Sequence, residues 1–326
     1  MTFFGIRFDF RNPPHAGTEM AERYAAALDM VEWADAHGFV ICVLSEHHGS
    51  DDGYLPSPIV MAAAVAARTK QMRIQVAALI SSFHDPLRVA EDVAVADLIS
   101  GGRLDIVIAQ GYVNEEFAMF DQPLDRRVSR TTELVKTLRQ AWTGEPFEYR
   151  GRTVQVTPKP AQPGGPKITL GGSSETAARR AARLGDGYMP SIPALWEPYR
   201  DECIKIGKPD PGPYLGGDTS FFHISPDPEG GWAAVAPFAL HESNAYGAWS
   251  ASGGTLGRGG YAPSADADAL RATGQYRVLT PEALVAELKA KGPYGFALFH
   301  PMMGGIPPAM AWESLTLFET DVLPYL

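Results

Sequence analysis

Three titratable side chains follow one another at Glu46-His47-His48, directly after the apolar stretch Phe39–Ser45, which predicts a buried strand. Catalytic groups of α/β proteins lie at the carboxyl ends of parallel strands. Histidine titrates near neutral pH and can give or accept a proton, and burying three such groups is costly unless they have a purpose. The cluster therefore predicts an acid–base site. A zinc site is the alternative, but the first predicted strand has no His-x-His pair, so we expect no metal.

A glycine-rich turn follows the later predicted strand Lys167–Leu170 and runs from Gly171-Gly172-Ser173-Ser174 to Thr176, where a helix should begin. Glycines let the backbone approach an anion closely, and the free N–H groups of a first helical turn attract negative charge. The hydroxyl groups of Ser173 and Thr176 could add donors. The pattern predicts a phosphate-binding turn, although an ordinary capped helix start has the same residues.

Three further segments have both a functional and a structural interpretation. Ser81-Ser82-Phe83-His84-Asp85-Pro86 closes the third strand and could face a ligand or form a capped turn. Gln110-Gly111-Tyr112 follows the strand Leu104–Ala109 and could line a site or be a solvated connection. Arg127 could bind a phosphate, or it could pair with Glu133 in the same predicted helix.

The elements that must position these residues alternate along the chain. The predicted strands are rich in Val, Ile, Phe and Leu, as strands buried on both faces are: Phe3–Phe10, Phe39–Ser45, Met72–Ser81, Leu104–Ala109, Lys167–Leu170, Gly187–Ser191, Thr219–Ile224 and Phe296–His300. Apolar residues at helical spacing predict the helices Glu19–His37, Ser57–Arg68, Pro86–Ser100, Arg127–Trp142, Ser174–Leu184, Trp196–Ile206, Pro281–Lys291 and Pro308–Leu323. Eight strand–helix pairs favour a closed barrel. We therefore predict an α/β fold, a (β/α)8 TIM barrel with insertions, as a single domain over residues 1–326.

Two segments interrupt this alternation. Glu148–Pro158 predicts a short β-hairpin before the fifth strand. Pro237–Leu279 contains Gly253-Gly254, Gly257 and Gly259-Gly260 together with several aromatic residues. A loop of that length in a compact domain is commonly functional or disordered, so we predict an insertion over residues 237–279 that acts as a lid over the site.

Composition excludes several classes of function. The chain has 326 residues, 45% of them hydrophobic and 20% charged, and a formal net charge of −10. Without a concentrated basic surface we expect no nucleic-acid partner, and without a long apolar run we expect no membrane span. The N-terminus reads as a strand rather than a secretion signal, and the only cysteines, Cys42 and Cys203, fit a reducing compartment. These features predict a cytoplasmic protein that binds a small molecule.

Taken together, four segments resemble the bacterial luciferase-like monooxygenases. They are Glu46-His47-His48, then His84-Asp85-Pro86-Leu87-Arg88-Val89-Ala90-Glu91, then Ser100-Gly101-Gly102-Arg103-Leu104, and then Gly171-Gly172-Ser173-Ser174 with the alanine- and arginine-rich stretch after it. The tail Gly304-Gly305-Ile306-Pro307-Pro308 is also similar to that family. The resemblance spans most of the chain.

The resemblance implies a barrel that binds FMN, often as a homodimer, with reduced FMN delivered by a separate flavin reductase. Dioxygen would add to the flavin at C4a, and the resulting (hydro)peroxide would oxidise a small organic substrate in a pocket that excludes water. His47 would be the catalytic histidine that moves a proton, and Glu46 and His48 would orient it.

The resemblance also implies a set of cofactor-binding residues. Ala78, Leu79 and Ser81 would lie along the flavin ring, with a non-prolyl cis peptide between two residues of Ala78–Ile80. The phosphate would bind at Gly171, Gly172, Ser173 and Thr176, with Arg127 reaching the same group. Gln110 and Tyr112 would lie near the ring. Tyr112, Trp249, Tyr261 and Met302-Met303 could line a substrate pocket or belong to the core.

Alternatives to an FMN monooxygenase remain open. Where luciferase has an arginine before the glycine after the fourth strand, this chain has Gln110, so the light-emitting reaction is not expected. A branch of the family uses a deazaflavin and transfers hydride, giving a dehydrogenase or reductase of the same fold. A third possibility is a non-enzymatic flavin-binding protein that stores the cofactor. The Glu-His-His cluster favours the FMN branch, and an intact His47 argues against storage.

Overall fold

The computed structural model describes residues 2–216, 221–256, 261–292 and 295–326, and its strands and helices alternate as predicted. The strands are β1 (Phe3–Phe8), β2 (Ile41–Leu44), β3 (Arg73–Ile80), β4 (Leu104–Ala109), β5 (Phe147–Tyr149), β6 (Arg152–Val154), β7 (Ile168–Gly172), β8 (Gly187–Pro190), β9 (Phe221–Ile224), β10 (Tyr276–Leu279) and β11 (Phe296–Phe299). The helices are α1 (Met20–Ala36), α2 (Pro58–Arg68), α3 (Pro86–Ser100), α4 (Asn114–Met119), α5 (Arg127–Ala141), α6 (Glu175–Leu184), α7 (Trp196–Lys205), α8 (Pro228–Ser252), α9 (Ala267–Ala272), α10 (Pro281–Ala290) and α11 (Pro308–Leu317).

Seven parallel strands form one curled sheet in the order β11-β1-β2-β3-β4-β7-β8. A second parallel pair, β9 and β10, lies beside it, and Phe222 on β9 packs against Phe299 on β11 with ring centroids 4.8 Å apart. The arrangement is similar to a TIM barrel, but within the described residues hydrogen bonds do not join all these strands into the closed eight-stranded barrel that we predicted. Thr219, the first residue of one predicted strand, lies outside the described residues.

The strands are positioned by an apolar layer between the sheet and the helices. Phe4, Ile6 and Phe8 alternate along β1 and are buried. Gly5 lies on the opposite, inner face, where a Cβ would approach side-chain atoms of the neighbouring strands at 2.8–3.1 Å. The inner face is thus tightly filled at Gly5, and polar side chains follow toward the carboxyl end of the strand. Along the described ranges, no helix has the length and apolar character needed to cross a membrane.

The antiparallel pair β5–β6 confirms the predicted hairpin. The prediction of a long loop over Pro237–Leu279 is wrong. Helix α8 runs through Pro237 and is followed by α9 and β10. Proline inside a helix lacks the N–H that an interior helical turn uses. Burial of one side of α8 outweighs that loss, with Val235, Ala239 and Tyr246 packed inside. Gly257, Gly259 and Gly260 of the predicted loop lie outside the described residues.

Candidate active site

His47 is buried just beyond the end of β2, where its ring pairs with a carboxylate that sequence analysis did not assign to it. Its Nδ1 lies 2.8 Å from Oε1 of Glu116. A carboxylate can only accept, so Nδ1 carries the hydrogen and donates it. The other ring nitrogen, Nε2, is then the atom that can take up a proton from a reacting group and return it.

Glu116 is a buried carboxylate on α4, with 1% of its surface exposed. Its Oε1 also accepts the backbone N–H of His48 at 2.8 Å, while its Oε2 has no hydrogen-bond partner among the described residues. We predicted that Glu46 and His48 would orient His47, and the structure corrects this, because Glu116 makes that contact. The only signal in the sequence was the acidic pair Glu115-Glu116 a few residues after Tyr112, which reads equally well as a solvated connection.

Glu46 instead joins the ends of two strands. Its Oε1 accepts from Nε2 of His48 at 2.8 Å and from Nε2 of His84 at 2.7 Å, and its Oε2 accepts from the N–H of Ile80 at 2.7 Å. Burial alone would raise the pKa of Glu46, but the hydrogen bonds from His48, His84 and Ile80 hold it below its usual value. Glu46 is therefore an ionised link that fixes the loops after β2 and β3.

The backbone at the end of β3 is irregular and partly open. The peptide bond between Ala77 and Ala78 is cis, one residue earlier than the predicted range Ala78–Ile80, and the register with β4 shifts between Ala77 and Leu79. Ala77 and Ala78 are half-buried, whereas the Leu79 side chain is fully buried in the core. Ligand contact at Leu79 would thus come from its backbone.

Ser81 has its hydroxyl engaged within the protein. The Oγ lies 2.9 Å from the carbonyl oxygen of Ala109 and 2.7 Å from Oγ1 of Thr131. These contacts join the end of β3 to β4 and α5. Asp85 likewise caps α3 by accepting from the N–H groups of Leu87 and Arg88, which is the structural interpretation offered for this segment.

The loop after β4 contributes one aromatic ring to the surroundings of His47. The Tyr112 ring lies edge-on to it at a centroid distance of 6.0 Å, and burial raises the pKa of Tyr112 above its usual value. The Gln110 carbonyl accepts from Oγ of Ser82 at 2.7 Å, and the Gln110 side chain is half-buried. Gly111 has φ +81°, a conformation that favours glycine, and a Cβ there would lie 2.8 Å from Ile80.

The glycines of the predicted phosphate turn are the last residues of β7, two residues further along the strand than predicted. Ser174 caps α6, because its side chain accepts from the N–H of Ala177. A Cβ at Gly172 would lie 2.5 Å from Cβ of Ala177, so only glycine lets the helix start this close, whereas Gly171 has no such contact. The hydroxyls of Ser173 and Thr176 make no hydrogen bond to other described residues.

Two arginines lie beside this turn without a carboxylate partner among the described residues. The side chain of Arg127, at the start of α5, makes one hydrogen bond within the described part of the chain, to the carbonyl oxygen of Leu124 at 3.4 Å, while the candidate partner Glu133 pairs with Arg150 instead. Arg180 on α6 was overlooked in the sequence. Burial and the neighbouring positive charge of Arg127 lower the pKa of Arg180 from its usual value. Two like charges held together are stabilised by an anion between them, so this pair fits a phosphate.

Helix α8 covers His47 with aromatic side chains. Trp249 stacks on the His47 ring with centroids 4.2 Å apart, and Tyr54 and Tyr246 meet the same ring edge-on at 4.9 and 5.8 Å. The end of α8 is attached to α4, because Asn114 donates to the carbonyl oxygen of Ser252. Of the side chains that could line a pocket, Tyr112 and Trp249 lie against His47 and Tyr261 stacks on Tyr246 at 4.3 Å. Met302 and Met303 are instead fully buried in the core.

The described residues include one group with the donors for a metal ion, away from Glu46-His47-His48. Asp9, Glu242 and His300 have ligand atoms within 4.8 Å of one another. Arg11 also lies there, with its Nε 3.6 Å from Oδ2 of Asp9. That positive charge would repel a dication, so the donor set does not favour a metal.

Known proteins are similar to this chain in sequence and in fold. The luciferase-like monooxygenase family profile matches residues 2–291. The chain is 28% identical over 150 residues to an FMNH2-dependent dimethylsulfone monooxygenase of Pseudomonas putida, covering 44% of this chain and 40% of that protein. The chain spans about half the length of the curated relatives it matches.

Solved structures share the fold along the whole chain. The monooxygenase RslO1 from Streptomyces bottropensis has a TM-score of 0.76 and 25% identity, covering 99% of both chains. An F420-dependent secondary alcohol dehydrogenase has a TM-score of 0.69 and 17% identity, covering 99% of this chain and 98% of that one. The second likeness concerns the fold alone.

Proposed function

The chain belongs to the luciferase-like monooxygenase family, and from this premise we propose that it is a flavin-dependent monooxygenase that uses reduced FMN and dioxygen on a small organic substrate. The observation that carries the proposal is the buried pair of His47 and Glu116 just beyond the carboxyl end of β2, in which Nδ1 of His47 lies 2.8 Å from Oε1 of Glu116. When bound, reduced FMN would supply the electrons that let dioxygen deliver an oxygen atom to the substrate.

The residues at the start of α6 fit the phosphate of FMN. Arg127 and Arg180 are two cations without a carboxylate partner among the described residues, and the hydroxyls of Ser173 and Thr176 are free to donate. Gly172 lets the backbone and the helix start approach an anion closely. The Ala77–Ala78 backbone would then face the ring, with Gln110 and Tyr112 on the neighbouring strand end.

His47 would move the proton that the reaction requires. Its Nδ1–H is held by Glu116, so Nε2 faces the reacting groups and can act first as acid and then as base. Glu116 also fixes the orientation of the ring, so that Nε2 keeps one direction while the proton moves. Glu46 and His48 would contribute by fixing the loop that carries His47.

Helix α8 would exclude water from the site. Trp249 stacks on the His47 ring and Tyr246 meets it edge-on, so both side chains shield His47. We propose that the segment 237–279 acts as a lid through this helix. Opening would separate Trp249 from His47, and closing would shield the reacting groups again.

The deazaflavin alternative is supported by the fold that the chain shares with an F420-dependent alcohol dehydrogenase. The 28% identity to an FMNH2-dependent relative favours FMN. Supply of reduced FMN by a separate reductase, and assembly as a homodimer, remain predictions that follow from the family.

The experiment that tests the proposal measures binding and oxygen uptake. Purified protein is titrated with reduced FMN and with a reduced deazaflavin under anaerobic conditions, and oxygen is then admitted. We expect reduced FMN to bind and its reoxidation to consume oxygen at a rate that differs from that of free FMN. Binding of the deazaflavin alone, with reduction by a secondary alcohol, would establish the alternative. Binding of FMN with an unchanged reoxidation rate would indicate storage.

A further inference from the structure

A fully buried arginine that the proposed function leaves unused lies just beyond the end of β1. The Arg11 side chain donates from Nη1 to Oδ2 of Asp52, and its Nε lies 3.6 Å from Oδ2 of Asp9. Its Nε and Nη2 are buried and have no hydrogen-bond partner among the described residues. Unpaired N–H groups inside a protein are costly, so another contact must compensate for them.

Aromatic rings surround this guanidinium. Its central carbon lies 4.8 Å from the ring centres of Tyr54 and Tyr246 and 4.7 Å from that of Trp249. The face of an aromatic ring attracts a cation, and the attraction is strongest when both are removed from water. Three rings thus stabilise the N–H groups of Arg11 that lack an oxygen acceptor.

The same three rings pack against His47. Trp249 stacks on it with centroids 4.2 Å apart, and Tyr54 and Tyr246 meet it edge-on at 4.9 and 5.8 Å. The indole N–H of Trp249 makes no hydrogen bond to a described residue, so packing positions this side chain. Trp249 therefore connects the charge of Arg11 to the ring of His47.

Asp52 joins Arg11 to the helix that carries Trp249. Its Oδ2 also accepts from Nε2 of His241 on α8, at 2.7 Å. Burial alone would raise the pKa of Asp52, but the hydrogen bond from His241 and the charge of Arg11 lower it to about 2. Asp52 is therefore ionised at neutral pH. A movement of α8 that took Trp249 from His47 would also take it from Arg11.

We propose that Arg11 is a positioning residue that holds Trp249 on the His47 ring and thereby favours the covered arrangement of the site. A cation–π contact away from water changes an equilibrium by roughly 5- to 30-fold. Lysine would keep the charge that balances Asp9 and Asp52, but its compact ammonium cannot stack on the rings as a planar guanidinium does. The part that this cover plays in a reaction rests on the proposed function, whereas the position of Trp249 does not.

The rate at which diethyl pyrocarbonate modifies His47 tests this inference on the whole chain without flavin. Mass spectrometry follows His47 and, in the same sample, His223, a buried histidine on β9. We expect Arg11→Lys to raise the His47 rate by roughly 5- to 30-fold and to leave the His223 rate unchanged. A role of Arg11 in folding alone would raise both rates together. The matched control is Arg23→Lys, which replaces another fully buried arginine, bonded to backbone carbonyl oxygens, and should leave the His47 rate unchanged.

A second comparison asks whether Arg11 acts through Trp249. Trp249→Leu alone should raise the His47 rate at least as much as Arg11→Lys does, and the two changes together should raise it no further. If Arg11→Lys does not fold, Arg11→Gln combined with Asp52→Asn removes two opposite charges together. The His47 rate of that double variant should exceed the rate of Asp52→Asn alone.

Three results would overturn the inference: an unchanged His47 rate in the Arg11 variants, an equal rise at His47 and His223, or a full effect of Arg11→Lys in the absence of Trp249. Reduced-FMN binding is measured on the same samples. A raised His47 rate in a chain that does not bind FMN would contradict the proposed function alone. An unchanged rate in a chain that binds FMN would overturn only the role of Arg11.

Discussion

Replacing Arg180 should weaken flavin binding without lowering the stability of the fold. Arg180 makes no bond to a described residue, and burial together with Arg127 lowers its pKa. Replacing it in Arg180→Met removes a repulsive charge and breaks no hydrogen bond or ion pair to a described residue. The free energy of unfolding should therefore stay within about 0.5 kcal/mol of the original value or rise.

The same change should weaken FMN binding. A hydrogen bond to a charged group contributes about 1.5–3 kcal/mol, which corresponds to a Kd roughly 10- to 150-fold higher. The assay is quenching of flavin fluorescence, measured in parallel with FMN and with riboflavin, which lacks the phosphate. Arg180→Met should lower the affinity for FMN and leave that for riboflavin nearly unchanged.

Arg179→Met is the matched control for this prediction. Arg179 lies next to Arg180 on α6, but its guanidinium is 3.7 Å from carboxylate oxygens of Glu175 and Glu202. Its loss should affect FMN much less than the loss of Arg180. Equal loss of FMN and riboflavin affinity in Arg180→Met, or unchanged FMN affinity, would refute the assignment of the phosphate to this turn.

Three other changes test the site and its framework. His47→Ala should retain FMN affinity while turnover falls by roughly 10²–10⁴, as for a general acid or base, and unchanged turnover would remove His47 from the mechanism. Gly172→Ala should destabilise the fold by about 1–3 kcal/mol in urea unfolding because its Cβ would overlap the start of α6, whereas Gly171→Ala should be tolerated; equal effects would contradict this packing argument. Glu46 has a lowered pKa in the folded state, so it stabilises the fold above its unfolded pKa of about 4.3, and this contribution is lost as the pH falls through the folded value. Glu46→Gln should therefore flatten the acid side of the plot of unfolding free energy against pH, and an unchanged slope would contradict it.

Much of the framework could be predicted because it depends on local patterns. Apolar runs identified the strands from β1 to β4, and Ser174 and Asp85 cap α6 and α3 as residues of their type commonly do. Helix α8 could not be predicted in this way. It contains Pro237, Gly230 and Gly231, which favour a loop, and only packing against the rest of the molecule makes it helical.

The position of His47 in the fold could be predicted, but the partner of its ring could not. That His47 lies at the end of a strand follows from the order of the elements, since parallel strands end at the same edge of the sheet. That Glu116 rather than Glu46 holds its ring depends on the rotation of α4, a helix of six residues with no strong sequence pattern. Arg180 was missed for a similar reason, because a run of arginines on a helix does not indicate which one lacks an acidic partner.

The short helix α4 links the proposed acid–base group to its cover. Glu116 turns inward to His47, while the preceding residue, Glu115, turns outward and accepts from the hydroxyl of Ser252 at the end of α8. Trp249, one turn earlier on α8, rests on the His47 ring. A movement of α8 that freed His47 would therefore act on the same helix that orients it. If α8 is the lid that we propose, access to the site and alignment of its histidine would be coupled through these two adjacent glutamates.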